Sequence, residues 1–138
     1  MVKISMLQES VVYIDHYDSK DRGSLDGYVT DTSSEQLENY LFSFSMKSGV
    51  ISNIKDKYKR IAFIKNLHVD EKYRGSGIGN KLLSNAIDEA YDNGAEAILL
   101  IADMEESNDF DIQRWYEGFG FEKITNTSEG PLMILDES

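Results

Sequence analysis

Three glycines and one arginine lie close together where an apolar strand pattern gives way to a helical one. They are Gly75, Gly77, Gly79 and Arg74. Glycine lets backbone N–H groups approach a ligand closely, and the N–H groups and macrodipole at a helix start favour an anion. Arg74 can add a charge-assisted hydrogen bond to a phosphate oxygen. The spacing therefore predicts an anion site of the kind that holds a phosphate group.

Two common phosphate motifs do not fit this stretch. The dinucleotide fingerprint G-x-G-x-x-G needs its third glycine where Asn80 stands, because Gly79 comes one residue early. The mononucleotide P-loop G-x-x-x-x-G-K-[ST] does not occur. The remaining pattern is Arg74-x-x-Gly77-x-Gly79, followed by an amphipathic helix.

The flanking segments predict a strand–helix–strand unit. The residues from 61 to 69 indicate a strand, in which the apolar Ile61, Phe63, Leu67 and Val69 mostly alternate with other residues. Residues 77 to 93 predict a helix with one apolar face, and Gly94 is expected at its left-handed C′ position. The apolar run from 95 to 102 predicts a buried strand. This order favours a parallel crossover.

The remaining elements follow from periodicity and turn residues. A turn-rich loop is predicted for 18–27, and a helix from Asp31 that ends at Gly49. A strand over residues 41–45 is an alternative to the end of that helix, and 50–58 is ambiguous. A further helix is expected, capped by Ser107, Asn108 or Asp109. Its apolar face is formed by Ile112, Trp115, Tyr116 and Phe119, and Trp115 is expected to be a core residue. Strands are predicted at 2–7, 10–17, 28–30, 121–125 and 132–135.

Composition limits the function classes. The 138 residues predict one domain, spanning 1–138. A net charge of −11 argues against nucleic-acid binding, and the absence of cysteine excludes disulfides and thiolate metal sites. With two histidines, no metal site is expected, and no apolar run is long enough to span a membrane. Without a long apolar N-terminal region, the expected location is the cytoplasm.

Two motifs in this order resemble the GNAT N-acetyltransferase superfamily. Arg74-x-x-Gly77-x-Gly79 is similar to its acyl-coenzyme A loop, and the segment 115–122 is similar to its "YekxGF" segment. The resemblance covers about residues 60 to 125. It implies an α/β (α+β) fold with a mixed central sheet, a splayed strand pair, and helices on both faces.

The resemblance also implies a cofactor, acetyl-coenzyme A, and the residues that hold it. The backbone of Leu67 and Val69 would pair with the pantetheine arm. Arg74 would contact phosphate, although a surface salt bridge with Asp70 or Glu71 is an alternative. Asn108 would contact the pantetheine or act only as a helix N-cap. The N–H groups expected to bind the pyrophosphate belong to Gly75, Ser76, Gly77, Ile78 and Gly79.

By the same resemblance, Tyr116 is the expected proton donor to the leaving thiolate, although it also lies on the apolar face of its helix. The general base stays open. Lys65, Asn66 and His68 are the candidates on the strand, and a water or an unaided amine is an equal alternative. The acidic residues Asp103, Glu105 and Glu106 could attract a cationic acceptor or simply form a solvated loop.

The sequence therefore predicts an acetyl-coenzyme A-dependent N-acetyltransferase that acts on a primary amine, in a small molecule or a protein lysine. Direct attack in a ternary complex is the expected mechanism. The alternative is a weak or inactive GNAT-fold protein with a binding or regulatory role. The partners expected are the amine substrate and, as one option, a second copy in a homodimer, with no nucleic acid or membrane.

Overall fold

A computed structural model describes residues 11–33, 37, 41, 47–73, 75–102 and 112–136. The strands are β1 (Val12–Tyr17), β2 (Gly23–Asp31), β3 (Arg60–Val69), β4 (Ala97–Ile101), β5 (Glu122–Thr127) and β6 (Gly130–Leu135). The helices are α1 (Ser48–Lys57), α2 (Ile78–Asp92) and α3 (Ile112–Glu117), with a 3₁₀ turn at Glu71–Tyr73. None of the helices in these described ranges combines the length and apolarity needed to cross a bilayer.

The six strands form one mixed sheet in the order β1-β2-β3-β4-β6-β5. β3 and β4 run parallel, as expected for two strands joined through α2, and every other neighbouring pair is antiparallel. The predicted crossover and mixed sheet are therefore confirmed.

Apolar clusters lie on both faces of the sheet. The first cluster contains Leu82, Leu83 and Ala86 of α2 together with Tyr116 of α3. The second cluster lies on the opposite face and contains Ile51 and Ile54 of α1, with Leu37 and Leu41. Burial of both sheet faces explains why β4 is apolar throughout rather than alternating. The predicted arrangement with helices on both faces is confirmed.

A β-bulge at Lys65 divides β3 into two halves. Asp26 pairs with Asn66 and Gly27 with Ile64, so that Lys65 is the extra residue. Ile61 and Phe63 consequently pack in the second cluster, whereas Leu67 and Val69 pack against the first. The predicted strand is confirmed. One inserted residue reverses the alternation, so these four apolar side chains do not share one face.

Strand β2 corrects the predicted loop at 18–27 and the short strand at 28–30. It begins at Gly23 and pairs with β3 along its whole length. A Cβ atom at Gly23 would lie 2.9 Å from the carbonyl oxygen of His68, and one at Gly27 would collide with the carbonyl of Phe63. These glycines therefore allow close approach of two strands rather than a turn.

We expect Gly27→Ala to destabilise the fold. The new methyl group would meet the backbone of Phe63 and lie 2.9 Å from Cα of Ile64, so the strands would have to separate beside the bulge. Overpacking of this kind costs about 1–3 kcal/mol. Urea denaturation measures the loss. Gly49→Ala is the matched control, since no atom lies within 4 Å of its added Cβ, and an unchanged midpoint for Gly27→Ala would contradict the argument.

The helix predictions had mixed outcomes. α2 and the left-handed Gly94, with φ of 91°, are confirmed. Gly49 does not end a helix, because it lies in the first turn of α1, which occupies most of the ambiguous segment 50–58. Asp31 belongs to the end of β2 rather than to a helix start. The predicted strand at 2–7 and the caps Ser107, Asn108 and Asp109 lie outside the described residues.

Candidate functional site

The glycine loop is built where β3 ends and α2 begins. The 3₁₀ turn is closed by the N–H of Tyr73, which donates to Asp70 O at 2.8 Å. Ser76 then donates its N–H and its hydroxyl to Tyr73 O. Gly75 and Gly77 have φ angles of 85° and 90°, a region that L side chains rarely adopt. The two glycines thus let the chain reverse before α2.

The start of α2 has the features of an anion site. Gly77 is its N-cap, with no side chain to satisfy the first N–H groups, and Gly77 O accepts from Lys81 N at 3.1 Å. The N–H groups of an α-helix's first turn have no acceptor within the helix. Cβ atoms at Gly75 and Gly77 would meet nothing within 4 Å, so the space before them is open. α2 has 15 residues, which is long enough for a developed macrodipole.

Helix α3 packs against this first turn. A Cβ atom at Gly79 would lie 3.5 Å from the Trp115 ring and 3.6 Å from Val69 Cγ2, which is ordinary van der Waals contact. The indole N–H of Trp115 donates to Oδ1 of Asn80 at 2.9 Å. Val69, Gly79 and Trp115 therefore converge from β3, α2 and α3.

The loop between β1 and β2 supports the 3₁₀ turn from the other side. The Arg22 guanidinium lies 5.5 Å from the centre of the Tyr73 ring, and Arg22 O accepts from Asp70 N at 2.8 Å. Arg22 Nε also donates to Asp18 at 2.7 Å. That hydrogen bond holds the pKa of the Asp18 carboxyl well below its usual range and raises the pKa of Arg22. The pair stays charged at neutral pH and orients Arg22 toward Tyr73.

β3 and β4 pair over only part of β3. Their ladder runs from Ile61 opposite Ala97 to Ile64 opposite Leu100, and β3 continues five residues further, to Val69. Leu67 and Val69 lie in this extension, with side chains packed against the first cluster. The extension leads directly into the glycine loop. The segment whose backbone was predicted to contact a ligand, at Leu67 and Val69, is therefore followed at once by the predicted anion site.

Tyr116 is a core residue in this structure. It is 5% exposed and lies in the first cluster, with ring centroids 5.1 Å from Trp115 and 5.8 Å from Phe121. The apolar-face position predicted from periodicity is therefore confirmed. Its role as proton donor stays a prediction.

His68 and Asn66 lie on the sheet face opposite Leu67 and Val69. His68 is exposed, and its Nε2 lies 3.2 Å from Oδ1 of Asp70. Asn66 Nδ2 donates to Asp26 Oδ1 at 3.0 Å. Lys65 is exposed and sits in the bulge. The structure thus separates the histidine from the face on which α2 packs, as the alternation predicted.

Several predicted site residues lie outside the described residues. They are Arg74, Asn108, Asp103, Glu105 and Glu106. The side chain of Glu71 is also not described, so the alternative ion pairs of Arg74 are untested. Among the residues that are described, no group of three or more histidine or acidic side chains could hold a metal ion.

Sequence reasoning missed two supporting contacts of the loop. Trp115 was expected only in the core, yet it bonds Asn80, the residue that stands in place of the dinucleotide motif's third glycine. Arg22 was part of a predicted loop and was given no role. An indole N–H needs an acceptor when partly buried, which was a signal for Trp115; nothing local indicated that Arg22 would meet Tyr73.

The chain belongs to the acetyltransferase (GNAT) domain family. The model of that family matches residues 44–123, which is more than half of the 138 residues and contains the whole glycine loop, α2 and α3. The predicted superfamily is thereby confirmed. None of the curated proteins is similar enough in sequence to match the chain.

Solved structures share the fold at low sequence identity. PaiA N-acetyltransferase from Thermoplasma acidophilum, in complex with coenzyme A, has 12% identity and a TM-score of 0.59 over 98% of this chain, which spans 66% of that protein. The ribosomal-protein-S18-alanine N-acetyltransferase from Escherichia coli has 19% identity and a TM-score of 0.57, over 99% and 76% of the two chains. An apo variant of an agmatine N-acetyltransferase has 10% identity and a TM-score of 0.63, over 88% and 73%.

These neighbours confirm the predicted fold class. The PaiA enzyme was solved with coenzyme A. The family to which this chain belongs uses acetyl-coenzyme A, so the predicted cofactor is confirmed at the level of the family. The names of the two other neighbours give agmatine and an alanine of ribosomal protein S18 as their acceptors. Membership in the family therefore supports acyl transfer and leaves the acceptor of this chain to be determined.

Proposed function

We propose that this protein is an acetyl-coenzyme A-dependent N-acetyltransferase that acts on a primary amine. One observation carries the proposal. The loop with Gly75 and Gly77 at positive φ opens onto the N-terminus of α2, directly after a strand that extends beyond its parallel neighbour. An anion site and an extended strand segment then follow each other, which suits a ligand with a pyrophosphate and a long amide-bearing arm.

The residues present fit the coenzyme. N–H groups are the donors that a pyrophosphate needs, and the open space before Gly75 and Gly77 would admit one. We assign the pyrophosphate to the backbone of residues 75–79, with Arg74 as an added charge. The backbone of Leu67 and Val69 would hold the pantetheine arm by hydrogen bonds of the kind that join strands.

The bound coenzyme supplies a thioester whose carbonyl carbon accepts the amine. In the direct mechanism, the amine nitrogen forms a bond to that carbon, the carbon–sulfur bond breaks, and the thiolate leaves with the electron pair. The amine must reach the site neutral and give up one proton. Tyr116 would donate a proton to the thiolate, and its place in a buried cluster excludes water around the phenol.

The proton from the amine has two routes in this proposal. The first is His68, an exposed imidazole whose Nε2 lies 3.2 Å from Oδ1 of Asp70, a contact that can orient the ring. An ordered water is the other route. His68→Gln separates them, because removal of a histidine base should lower kcat/KM, whereas a water route would leave kcat/KM unchanged.

A second candidate function is coenzyme binding without turnover. Two observations favour it. Tyr116 is enclosed by Trp115 and Phe121, and the β3 residues before the bulge, from Ile61 to Ile64, are all buried and apolar. Neither segment offers an exposed base, so a regulatory GNAT-fold protein would show the same features.

Coenzyme binding is the first test of both functions. We expect acetyl-coenzyme A at 100 times its Kd to stabilise the protein by about 2.7 kcal/mol, because it binds only the folded state. Thermal unfolding with and without the ligand measures this, with adenosine as a control that lacks pyrophosphate and pantetheine. Equal melting temperatures with acetyl-coenzyme A, coenzyme A and buffer would contradict both candidate functions.

A further inference from the structure

The face of the β1–β2–β3 sheet opposite α2 carries an exposed set of tyrosine and aspartate side chains. Tyr13 and Tyr17 of β1 are 70% and 69% exposed, the largest values among the large apolar residues described. Asp15 lies between them on the same face, since side chains two apart on a strand point the same way. We call Tyr13, Asp15, Tyr17 and Asp26 the tyrosine–aspartate face.

Cross-strand register places the two aspartates opposite each other. Asp15 pairs with Asp26, while Tyr13 pairs with Tyr28 and Tyr17 with Ser24. Like charges directly opposite in an antiparallel pair are destabilising. The Asp26 carboxylate accepts a hydrogen bond from Asn66, which is neutral and does not itself offset this repulsion. A cation bound from outside would offset it.

The surroundings of the aspartate pair suit an ammonium or guanidinium group. Tyrosine rings attract cations through their faces, and Tyr13 and Tyr17 bracket Asp15 at about 6–7 Å along the strand on either side. The whole chain has a net charge of −11. Charge complementarity therefore favours a cationic partner over any other.

The shape of the face favours a polypeptide over a small molecule. Small-molecule sites are concave and bury most of their ligand, whereas these tyrosines project from a sheet surface and are about 70% exposed. From Tyr13 to Tyr17 the face spans about 13 Å, the length of a four-residue extended segment. Lysine or arginine at alternate positions of such a segment could contact the aspartates and tyrosines.

The face also leads toward the candidate acyl site. Its middle row continues from Asp15 and Asp26 to Asn66, and the next row ends at His68. Both β3 residues lie beyond Ile64, where the ladder with β4 ends. A segment crossing these rows would carry a neighbouring amine to the place where the ladder between β3 and β4 ends.

We infer that the tyrosine–aspartate face binds a lysine- or arginine-bearing segment of a protein acceptor. The claim that this segment belongs to an acetyl acceptor rests on the proposed function. Binding of the segment itself needs no coenzyme, so the two can fail separately.

Fluorescence anisotropy with a labelled ten-residue peptide of alternating lysine and serine tests the inference. We expect Asp15→Asn/Asp26→Asn to bind it about tenfold more weakly than wild type, since the ion pairs with both carboxylates are lost while the tyrosines remain. Asp88→Asn/Asp92→Asn is the control, because it removes the same charge from exposed positions of α2. The control should bind as wild type does.

The stability of the apo proteins gives a second readout. Relief of the like-charge pair should leave the melting temperature of Asp15→Asn/Asp26→Asn unchanged or higher, which excludes misfolding as the cause of weaker binding. Equal peptide affinity for the two double variants would overturn the inference and assign binding to overall charge.

Competition with spermidine tests the choice of a polypeptide over a small molecule. Spermidine that competes at a lower concentration than the unlabelled peptide would overturn that choice. Measurement with and without acetyl-coenzyme A separates failure of this inference from failure of the proposed function.

Discussion

Gly77→Glu is expected to reduce acetyl-coenzyme A affinity by about 100-fold or more, which corresponds to roughly 2.7 kcal/mol. The new carboxylate would stand at the N-cap of α2, where the proposed pyrophosphate is held. It would repel that anion and fill space that is open in the wild type. Charge-assisted hydrogen bonds are worth about 1.5–3 kcal/mol each, so the loss of one or two suffices. Isothermal titration calorimetry measures the affinity.

Two further variants isolate the cause. Gly77→Ala adds the strain of a side chain at φ of 90° without the charge, and that strain should cost about 1–2 kcal/mol of stability. Gly49→Glu makes the same glycine-to-glutamate change at an exposed helix position with nothing within 4 Å of its Cβ, and should bind as wild type does. Undiminished affinity in Gly77→Glu would show that this loop does not hold the coenzyme.

Tyr116→Phe is expected to lower kcat by about 100-fold or more while the Kd for acetyl-coenzyme A changes less than about twofold. General acids typically contribute 10²–10⁴-fold. The variant keeps the ring that packs between Trp115 and Phe121, so only the hydroxyl is lost. The rate of thiol release gives kcat, and isothermal titration calorimetry gives the Kd.

Phe121→Leu is a suitable control for this change, because it alters the neighbouring packing in the same cluster but leaves the phenol in place. If Tyr116→Phe kept wild-type kcat, Tyr116 would be a packing residue only. If both variants lost activity equally, the effect would come from the cluster rather than from proton donation.

The parts of the site that could be predicted from the sequence are local in the chain. Gly75 and Gly77 require positive φ, and the apolar periodicity of α2 begins directly after them, so neighbours in sequence specify both the loop and the helix. Gly94 was predictable for the same reason. Such features depend on the backbone preferences of single residues.

The errors came from contacts between distant segments. Gly23 and Gly27 lie in a stretch whose composition is typical of a turn. Only their register against β3 explains why a side chain is excluded there. The bulge at Lys65 is likewise invisible in a single strand, because it is a difference in residue count between β2 and β3. The opposition of Asp15 and Asp26 also depends on pairing across strands. The residues that bind the acceptor are therefore harder to predict from the sequence than those of the cofactor loop.

The central claim is that this fold transfers an acetyl group to an amine. Mass spectrometry of a reaction with acetyl-coenzyme A and a panel of primary amines and lysine-bearing peptides tests it most directly. We expect an acetylated amine, with one free thiol released per acetyl group, for wild type and Gly49→Glu but not for Gly77→Glu. Binding of acetyl-coenzyme A with no acetylated product across the panel would contradict it and favour the coenzyme-binding function.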